Sequence, residues 1–249
     1  AWSFENLPKY ENGGTLITYA ITEDAVEDYT TTYNGYDVVN THAPEKTSVT
    51  VTKSWQDNND QDGIRANDVT VVLMANGEKT DKTLVLNQGN SWTGSFTELD
   101  KFKGGEEIVY TLEEKSVKDY ESVITGDAAG GYTVTNTHNP ETVDVAGSKT
   151  WKDKKNQDGA RPESITVHLL KNGQVIDTRT VTAADGWAWT FEDLDKYEAG
   201  QLISYSIVEE AVEGYTASYN GYNVTNTHTP EQTSVTVTKA WADSNNQDG

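Results

Sequence analysis

The chain has 249 residues, no cysteine, and 40 acidic against 19 basic side chains, which gives a formal charge of −21. The lack of cysteine excludes disulfides, thiolate metal sites and cysteine nucleophiles, and the acid excess argues against nucleic-acid and anionic membrane partners, which require basic patches. No apolar run approaches the roughly 18 residues of a membrane-spanning helix, so we expect no membrane insertion.

Three short segments recur along the chain and define internal repeats. In the order of their first appearance they read Tyr-x-x-x-Glu, Tyr-x-x-x-Asn-Thr-His and Lys-x-Trp. The lysines of the third segment, Lys53, Lys149 and Lys239, are 96 and then 90 positions apart. A period of this length corresponds to a small domain rather than to a one-hairpin solenoid repeat.

The repeat frame predicts two complete domains between two partial ones. The first part begins in mid-domain, because Trp2–Tyr10 matches Trp189–Tyr197, and the last part stops at Gln247–Gly249, which matches Gln61–Gly63. The two ends together lack the middle of a domain, so we expect a window on a longer array of repeats. The predicted parts are a C-terminal part at 1–45, complete domains at 46–140 and 141–230, and an N-terminal part at 231–249.

Nearly every segment of a complete domain has the pattern of a short strand. Val69–Met74 and Ile165–Leu170 are rich in β-branched residues and are followed by Asn-Gly dipeptides, which are typical of hairpins. No segment has a capped pattern of helical period. About seven short strands with turn signals between them indicate a β-sandwich. The remaining predicted strands include Lys82–Leu86, Trp92–Phe96, Arg179–Thr182 and Trp187–Phe191.

Strand parity turns one lysine, one glutamate and one asparagine of each domain toward the core. Lys53 shares a strand face with Val49 and Val51, although lysine is almost never fully buried unless it is paired. Glu114 and Asn136 likewise share the apolar faces of their strands. The equivalent residues are Lys149, Glu209 and Asn226 in the second domain, Glu23 and Asn40 in the first part, and Lys239 in the last. The residues that directly follow the three glutamates should point outward; they are Asp24, Lys115 and Glu210.

Two interpretations of this buried set remain open on the residues alone. The first is a hydrogen-bonded ion pair, which desolvation makes a poor source of stability. The second is a reaction, because an apolar pocket lowers the pKa of an amine and raises that of a carboxylic acid by up to about 3–5. A neutral amine held against a carboxamide reaches an effective molarity on the order of 10⁵ M or more. The product would be a Lys–Asn isopeptide bond and ammonia.

The ordered motifs Val-x-Val-x-Lys-x-Trp, Tyr-x-(Leu/Ile)-x-Glu and Tyr-x-Val-Thr-Asn-Thr resemble the collagen-adhesin B-type repeat domain of Gram-positive surface proteins. The resemblance covers essentially the whole chain and implies an all-β fold of tandem inverse immunoglobulin-like (transthyretin-like) sandwiches. It also implies an autocatalytic Lys–Asn isopeptide bond in each complete domain. The implied nucleophile, acid and acceptor are Lys53, Glu114 and Asn136, then Lys149, Glu209 and Asn226; Glu23, Asn40 and Lys239 would be incomplete half-sites.

The resemblance implies a stalk or spacer segment of an adhesin or pilus-like protein, outside the cell and attached to the cell wall of a Gram-positive bacterium. The partners would be neighbouring repeats and, through regions elsewhere, a host matrix or other surface ligand. No cofactor is expected. The alternative is direct binding of a matrix protein or glycan through exposed Trp and Tyr side chains. An enzyme acting on external substrates is disfavoured, because the reactive set points inward and is consumed once.

The acidic segment Asp57–Gly63 has the composition of a calcium loop. Its second copy, Asp153–Gly159, places two lysines among the would-be ligands, so we expect an Asx-capped turn and no metal. The histidines, one per repeat, are expected to pack at strand ends: His42, His138 and His228.

The tryptophans Trp92, Trp187 and Trp189 alternate with apolar or small residues and are expected in the core or half-exposed on a sheet, rather than as a sugar platform. Asn223-Val224-Thr225 matches a glycosylation sequon, but it lies inside a predicted strand, where we expect the match to be fortuitous.

Overall fold

A computed structural model describes residues 1–242 and 244–249. Asp243, inside the predicted last part, lies outside the described residues. The chain forms two compact units. Unit 1 comprises Ala1–Ser54, Asn67–Lys118 and Ser122–Asn136, and unit 2 comprises Trp55–Ala66, Asp119–Glu121 and Thr137–Gly249.

The described residues form β-strands and one 3₁₀ turn at Gln88–Asn90. The first eleven strands are β1 (Thr30–Asn34), β2 (Asp37–Thr41), β3 (Lys46–Gln56), β4 (Asp68–Ala75), β5 (Glu78–Asn87), β6 (Thr93–Asp100), β7 (Phe102–Lys103), β8 (Glu106–Glu107), β9 (Tyr110–Glu114), β10 (Glu121–Asp127) and β11 (Gly131–Thr137). They are followed by β12 (Thr142–Lys152), β13 (Ser164–Lys171), β14 (Gln174–Thr182), β15 (Ala188–Asp195), β16 (Tyr197–Glu198), β17 (Gln201–Leu202), β18 (Tyr205–Glu209), β19 (Thr216–Asn220) and β20 (Asn223–Thr227).

Two sandwiches with the same strand arrangement account for most of these elements. The first sandwich has a sheet in the order β10-β11-β3-β6 and a sheet in the order β5-β4-β9. The second has the corresponding orders β15-β12-β20-β19 and β14-β13-β18. The predicted all-β fold of inverse immunoglobulin-like sandwiches is confirmed. In both sandwiches the first long strand lies beside the last one, although more than seventy residues separate them.

The core follows the alternation expected of half-buried strands. On β3, Val49, Val51 and Lys53 are buried, while Thr50 and Thr52 are exposed. The same parity on the other strands builds a compact apolar core in each sandwich. That of the second sandwich consists of Val145, Ile165, Val167, Leu169, Val181, Trp189, Phe191, Ile207 and Val224.

At one pair of facing positions, the large and the small residue are on opposite strands in the two sandwiches. Val51 of β3 faces Gly94 of β6, whereas in the second sandwich Gly147 faces Trp189. A Cβ added at Gly147 would lie 2.0 Å from the backbone oxygen of Tyr222 and 2.8 Å from the Trp189 ring. Interiors are close-packed, so Gly147 provides the space in which the Trp189 indole is buried.

Gly147→Ala should lower the free energy of unfolding of the second sandwich by about 3 kcal/mol, at the upper end of overpacking costs, because a backbone carbonyl cannot retreat as a side chain can. Chemical denaturation measures this change. The matched control is Gly130→Ala, whose added Cβ would meet only Asp127 Oδ1, at 3.4 Å, and which should be nearly neutral. Equal stabilities of the two variants would contradict the packing argument.

Candidate functional site

The second sandwich buries the three predicted polar residues in one interior. Lys149 lies on β12, Glu209 on β18 and Asn226 on β20, and each is at most 6% exposed. The Lys149 ammonium forms a very short hydrogen bond to Glu209 Oε1. Parallel pairing of β12 with β20 sets Lys149 opposite Val224, and Asn226 follows two residues later on the same face. The strand register therefore brings the amine and the amide to one face of this sheet, and the acid reaches them from β18 in the facing sheet.

The first sandwich joins its own three residues by direct contacts. Lys53 Nζ lies 4.0 Å from Glu114 Oε1, with both side chains almost fully buried. The same nitrogen donates to the backbone oxygens of Ser54, at 2.7 Å, and Val134, at 3.2 Å. Asn136 Nδ2 donates to Glu114 Oε1 at 3.2 Å. Glu114 thus contacts both the amine and the amide that the sequence pairs with it.

In both sites, atoms of the acid and of the amide lack hydrogen-bond partners among the described residues. Among the described residues, no donor reaches Glu114 Oε2 and Asn136 Oδ1, or Glu209 Oε2 and Asn226 Oδ1. Leaving a buried polar atom unsatisfied costs about 1–3 kcal/mol. If the carboxyl carried a proton, its O–H could donate a hydrogen bond to the amide oxygen. The arrangement is therefore poor as a static ion pair and suited to acid assistance at the amide.

The surroundings of Lys149 make its neutral form easier to reach than in water. Burial lowers the pKa of the Lys149 ammonium, and the hydrogen bond and charge of Glu209 oppose that shift only in part. The nitrogen lies 4.5 Å from the centroid of the Trp151 ring. Trp187 and Tyr215 pack edge-on against this ring at 5.2 Å and 5.0 Å. An amine with a lowered pKa in an aromatic pocket is an effective nucleophile.

The predicted half-sites differ from the buried sites in exposure. Glu23 is exposed and Asn40 is half-buried, and the hydroxyl of Thr31 connects them. Thr31 Oγ1 lies 2.7 Å from Asn40 Oδ1 and 3.3 Å from Glu23 Oε2. The lysine of the last part, Lys239, is exposed, with its nitrogen 3.4 Å above the Trp241 ring centroid. Thr31 was not among the predicted site residues.

Comparison with known proteins identifies the family. The sequence model of the Cna protein B-type domain matches residues 1–41, 49–137 and 145–227. The chain belongs to this family.

The chain is similar to a collagen adhesin and to B repeat units of Staphylococcus aureus. Over its full length the chain is 46% identical to a "Collagen adhesin" of Staphylococcus aureus, and it spans 21% of that protein. The crystal structure of two B repeat units of the collagen binding protein of Staphylococcus aureus matches with a TM-score of 0.69 and 46% identity, over 98% of this chain and 66% of that one. A single B repeat unit of the same protein matches at 36% identity, with a TM-score of 0.35, over 75% of this chain and 100% of that one.

Each B-type sandwich also contains an Asp–Arg–Tyr cluster that the sequence reading missed. Burial raises the pKa of Asp57, but hydrogen bonds from Arg65, the Asp60 amide and Tyr120 outweigh burial and hold it at about 2. Arg65 Nε donates at 2.8 Å and the Tyr120 hydroxyl at 2.9 Å. Both oxygens of Asp57 are thereby occupied, as expected of a turn. The repeated spacing of Asp and Arg was the available signal; the second copy is Asp153, Arg161 and Tyr215.

The repeat histidines do more than pack at strand ends. The His138 ring contacts the Tyr120 ring at a tilt of 45°, and its Nε2 lies 2.9 Å from Asp62 Oδ2. The same Asp62 oxygen accepts the backbone N–H of Glu141 at 2.8 Å. The second copy pairs His228 with Asp158 at 3.1 Å. The His42 ring lies 5.4 Å from the Tyr29 ring, measured between centroids.

The other sequence candidates are placed as follows. Trp189 is buried and Trp92 and Trp187 are half-buried, which confirms core or half-exposed positions. The Asn223 sequon lies in β20, as predicted. Within residues 1–242 and 244–249, no helix has the length and apolarity needed to cross a membrane. The same ranges hold no cluster of three or more His, Cys, Asp or Glu residues that could bind a metal.

Asp62→Asn should lower the pKa of His138, because the hydrogen bond that the imidazole donates to the Asp62 carboxylate is the largest cause of its upward shift. The folded-state pKa of His138 exceeds the unfolded value near 6.5, so its contribution to stability is full below about pH 6.5 and is lost as pH rises through the folded pKa. NMR titration of the imidazoles measures both pKa values. His228, which pairs with Asp158, is the internal control and should not shift; equal movement of both histidines would contradict the assignment.

Proposed function

We propose that the chain is a structural stalk or spacer segment of a cell-wall-attached surface adhesin or pilus-like protein of a Gram-positive bacterium. Each complete repeat, 46–140 and 141–230, carries an intramolecular Lys–Asn isopeptide bond that the domain forms by itself. The observation that carries this proposal is the burial of Lys149 and Glu209 in direct contact, together with the Asn226 side-chain amide, which lies on the same sheet face as Lys149 and has no hydrogen-bond partner among the described residues. The parts at 1–45 and 231–249 are pieces of further repeats.

The bond forms by attack of the neutral amine nitrogen of Lys149 on the side-chain carbon of Asn226. A new C–N bond replaces the bond from that carbon to Nδ2, and Nδ2 leaves as ammonia. Glu209, in its protonated form, assists the amide, and in its ionised form accepts the proton that the amine releases. Lys53, Glu114 and Asn136 have the same roles in the first sandwich.

No external substrate enters this chemistry, because the reacting groups are the domain's own side chains. Each site turns over once, so the domain is its own product and not an enzyme in the ordinary sense. No step requires a cofactor or a metal. The acid excess of the chain keeps neighbouring molecules apart and suits a solvated spacer.

A crosslink between the first and last long strands suits a domain under load. In the second sandwich these strands are parallel neighbours, so a pull on the start of β12 and the end of β20 shears their hydrogen bonds. A covalent bond from Lys149 to Asn226 would transmit this force directly from β12 to β20, so that the hydrogen bonds between the strands would not have to resist it. Closing a loop of this length contributes on the order of 4–5 kcal/mol by the chain-entropy estimate used for disulfides.

The tandem arrangement gives the expected partners, which are neighbouring repeats. Direct binding of a matrix protein or glycan would need an exposed aromatic platform. The tryptophans of the two sandwiches are buried or half-buried instead, which favours the spacer. The staphylococcal relative is a collagen adhesin, and we propose that any ligand of this kind is bound by regions outside this chain.

The intact mass of the folded chain should be lower than the sequence mass by two ammonia molecules, one from each complete repeat. Mass spectrometry after denaturation measures the difference, and the mass spectra of digested peptides locate the two crosslinks. An unmodified mass would show that neither bond forms.

Glu209→Gln should remove one of these two losses, because a carboxamide cannot exchange protons at neutral pH as a carboxylic acid can. The first crosslink, between Lys53 and Asn136, should persist in the same molecule. Glu210→Gln is the matched control, since Glu210 is the exposed residue that directly follows β18, and this variant should lose two ammonia molecules. Tryptophan fluorescence verifies that the variant folds. Loss of two ammonia molecules from folded Glu209→Gln would remove Glu209 from the mechanism.

A further inference from the structure

The residue that faces an acceptor asparagine across its hairpin differs between repeats. Thr31 faces Asn40 across the β1–β2 pair, and its hydroxyl lies 2.7 Å from the amide oxygen of Asn40. The same hydroxyl lies 3.3 Å from the Glu23 carboxylate. Thr31 therefore stands between the acid and the amide oxygen.

The corresponding position in the second sandwich lacks a hydroxyl. Ala217 faces Asn226 in the same register that relates Thr31 to Asn40. Asn226 Oδ1 is buried there and has no hydrogen-bond partner among the described residues. The methyl group of Ala217 can neither donate to this oxygen nor connect it to the acid.

The amide oxygen is the atom on which negative charge develops when the amine adds to the asparagine carbon. A positioned donor at such an atom stabilises the tetrahedral intermediate, and loss of one donor from an oxyanion site typically costs about 10²–10³-fold in rate. A hydroxyl has one proton to donate. With a protonated carboxyl at position 23, the acid donates to Thr31 and Thr31 donates to Asn40, which gives a relay from acid to amide.

We propose that the residue facing the acceptor asparagine sets the rate of isopeptide formation, and that a hydroxyl at this position activates the amide. This inference rests on the proposed function. The overall reaction is unchanged: the lysine nitrogen bonds to the asparagine carbon, Nδ2 leaves as ammonia, and the relayed proton returns to the acid through the same hydroxyl. In this chain Ala217 leaves Asn226 dependent on Glu209 alone.

Ala217→Thr tests the proposal, with Ala217→Val as a control of the same shape without a hydroxyl. Each variant is made by cell-free synthesis and quenched in acidic denaturant at successive times. Mass spectrometry of the digest then gives the crosslinked fraction at Lys149–Asn226. The rate of crosslink formation at Lys53–Asn136 in the same molecule serves as an internal reference. The pH is chosen so that tryptophan fluorescence reaches its folded value before crosslinks appear, which makes the bond-forming step rate-limiting.

Ala217→Thr should form the second crosslink at least about tenfold faster than the unmodified chain, a conservative fraction of the oxyanion-donor effect. The rate of the Lys53–Asn136 reference crosslink should not change, and Ala217→Val should not accelerate the Lys149–Asn226 crosslink. Ala217→Ser adds the hydroxyl with less bulk and should also accelerate the reaction, which covers the case in which threonine disturbs folding.

Equal rates for the threonine, serine and valine variants would overturn the proposal while leaving the isopeptide function intact. Acceleration by valine as well would assign the effect to packing and would also overturn it. Absence of both crosslinks from the unmodified chain would instead refute the proposed function, and this inference with it.

Discussion

The structure depends on the burial of an amine beside a carboxylic acid inside each β-sandwich. Removing an ion pair from water is costly, and the mutual attraction of the two charges rarely repays it in full. Here the cost is increased by acid and amide oxygens that have no donor among the described residues. A crosslink would replace the ammonium group and the primary amide with one secondary amide, and ammonia would leave. Under the proposed function, this polar core is the reactant of a step that the fold itself promotes.

The strand order makes that step productive. Because the first and last long strands are neighbours in each sandwich, the lysine and the asparagine come from opposite ends of the domain sequence and meet in its interior. The glutamate comes from the facing sheet, on β9 or β18. A bond inside one strand pair can thus close nearly the whole domain into a single covalent loop. The aromatic groups around Lys149 help to keep this interior dry.

Strand alternation was sufficient to predict the fold class and the inward orientation of Lys53, Glu114 and Asn136, because parity is a local property. The sequence could not predict contacts between loops. His138 and Asp62 are 76 positions apart and meet through segments without periodic pattern. Thr31 could not be predicted for another reason. Its contact with Asn40 depends on the cross-strand register of the β1–β2 hairpin, which the sequence does not give.

The exchange of large and small residues between the paired strands has a consequence for assembly. Neighbouring domains of similar sequence in one polypeptide risk trading strands during synthesis. A strand with Val51 placed against Trp189 would be overfilled, and a strand with Gly147 placed against Gly94 would leave a hole. Each first strand therefore fits its own domain better than the neighbouring domain in the sequence. This mismatch disfavours strand exchange between homologous domains while they fold.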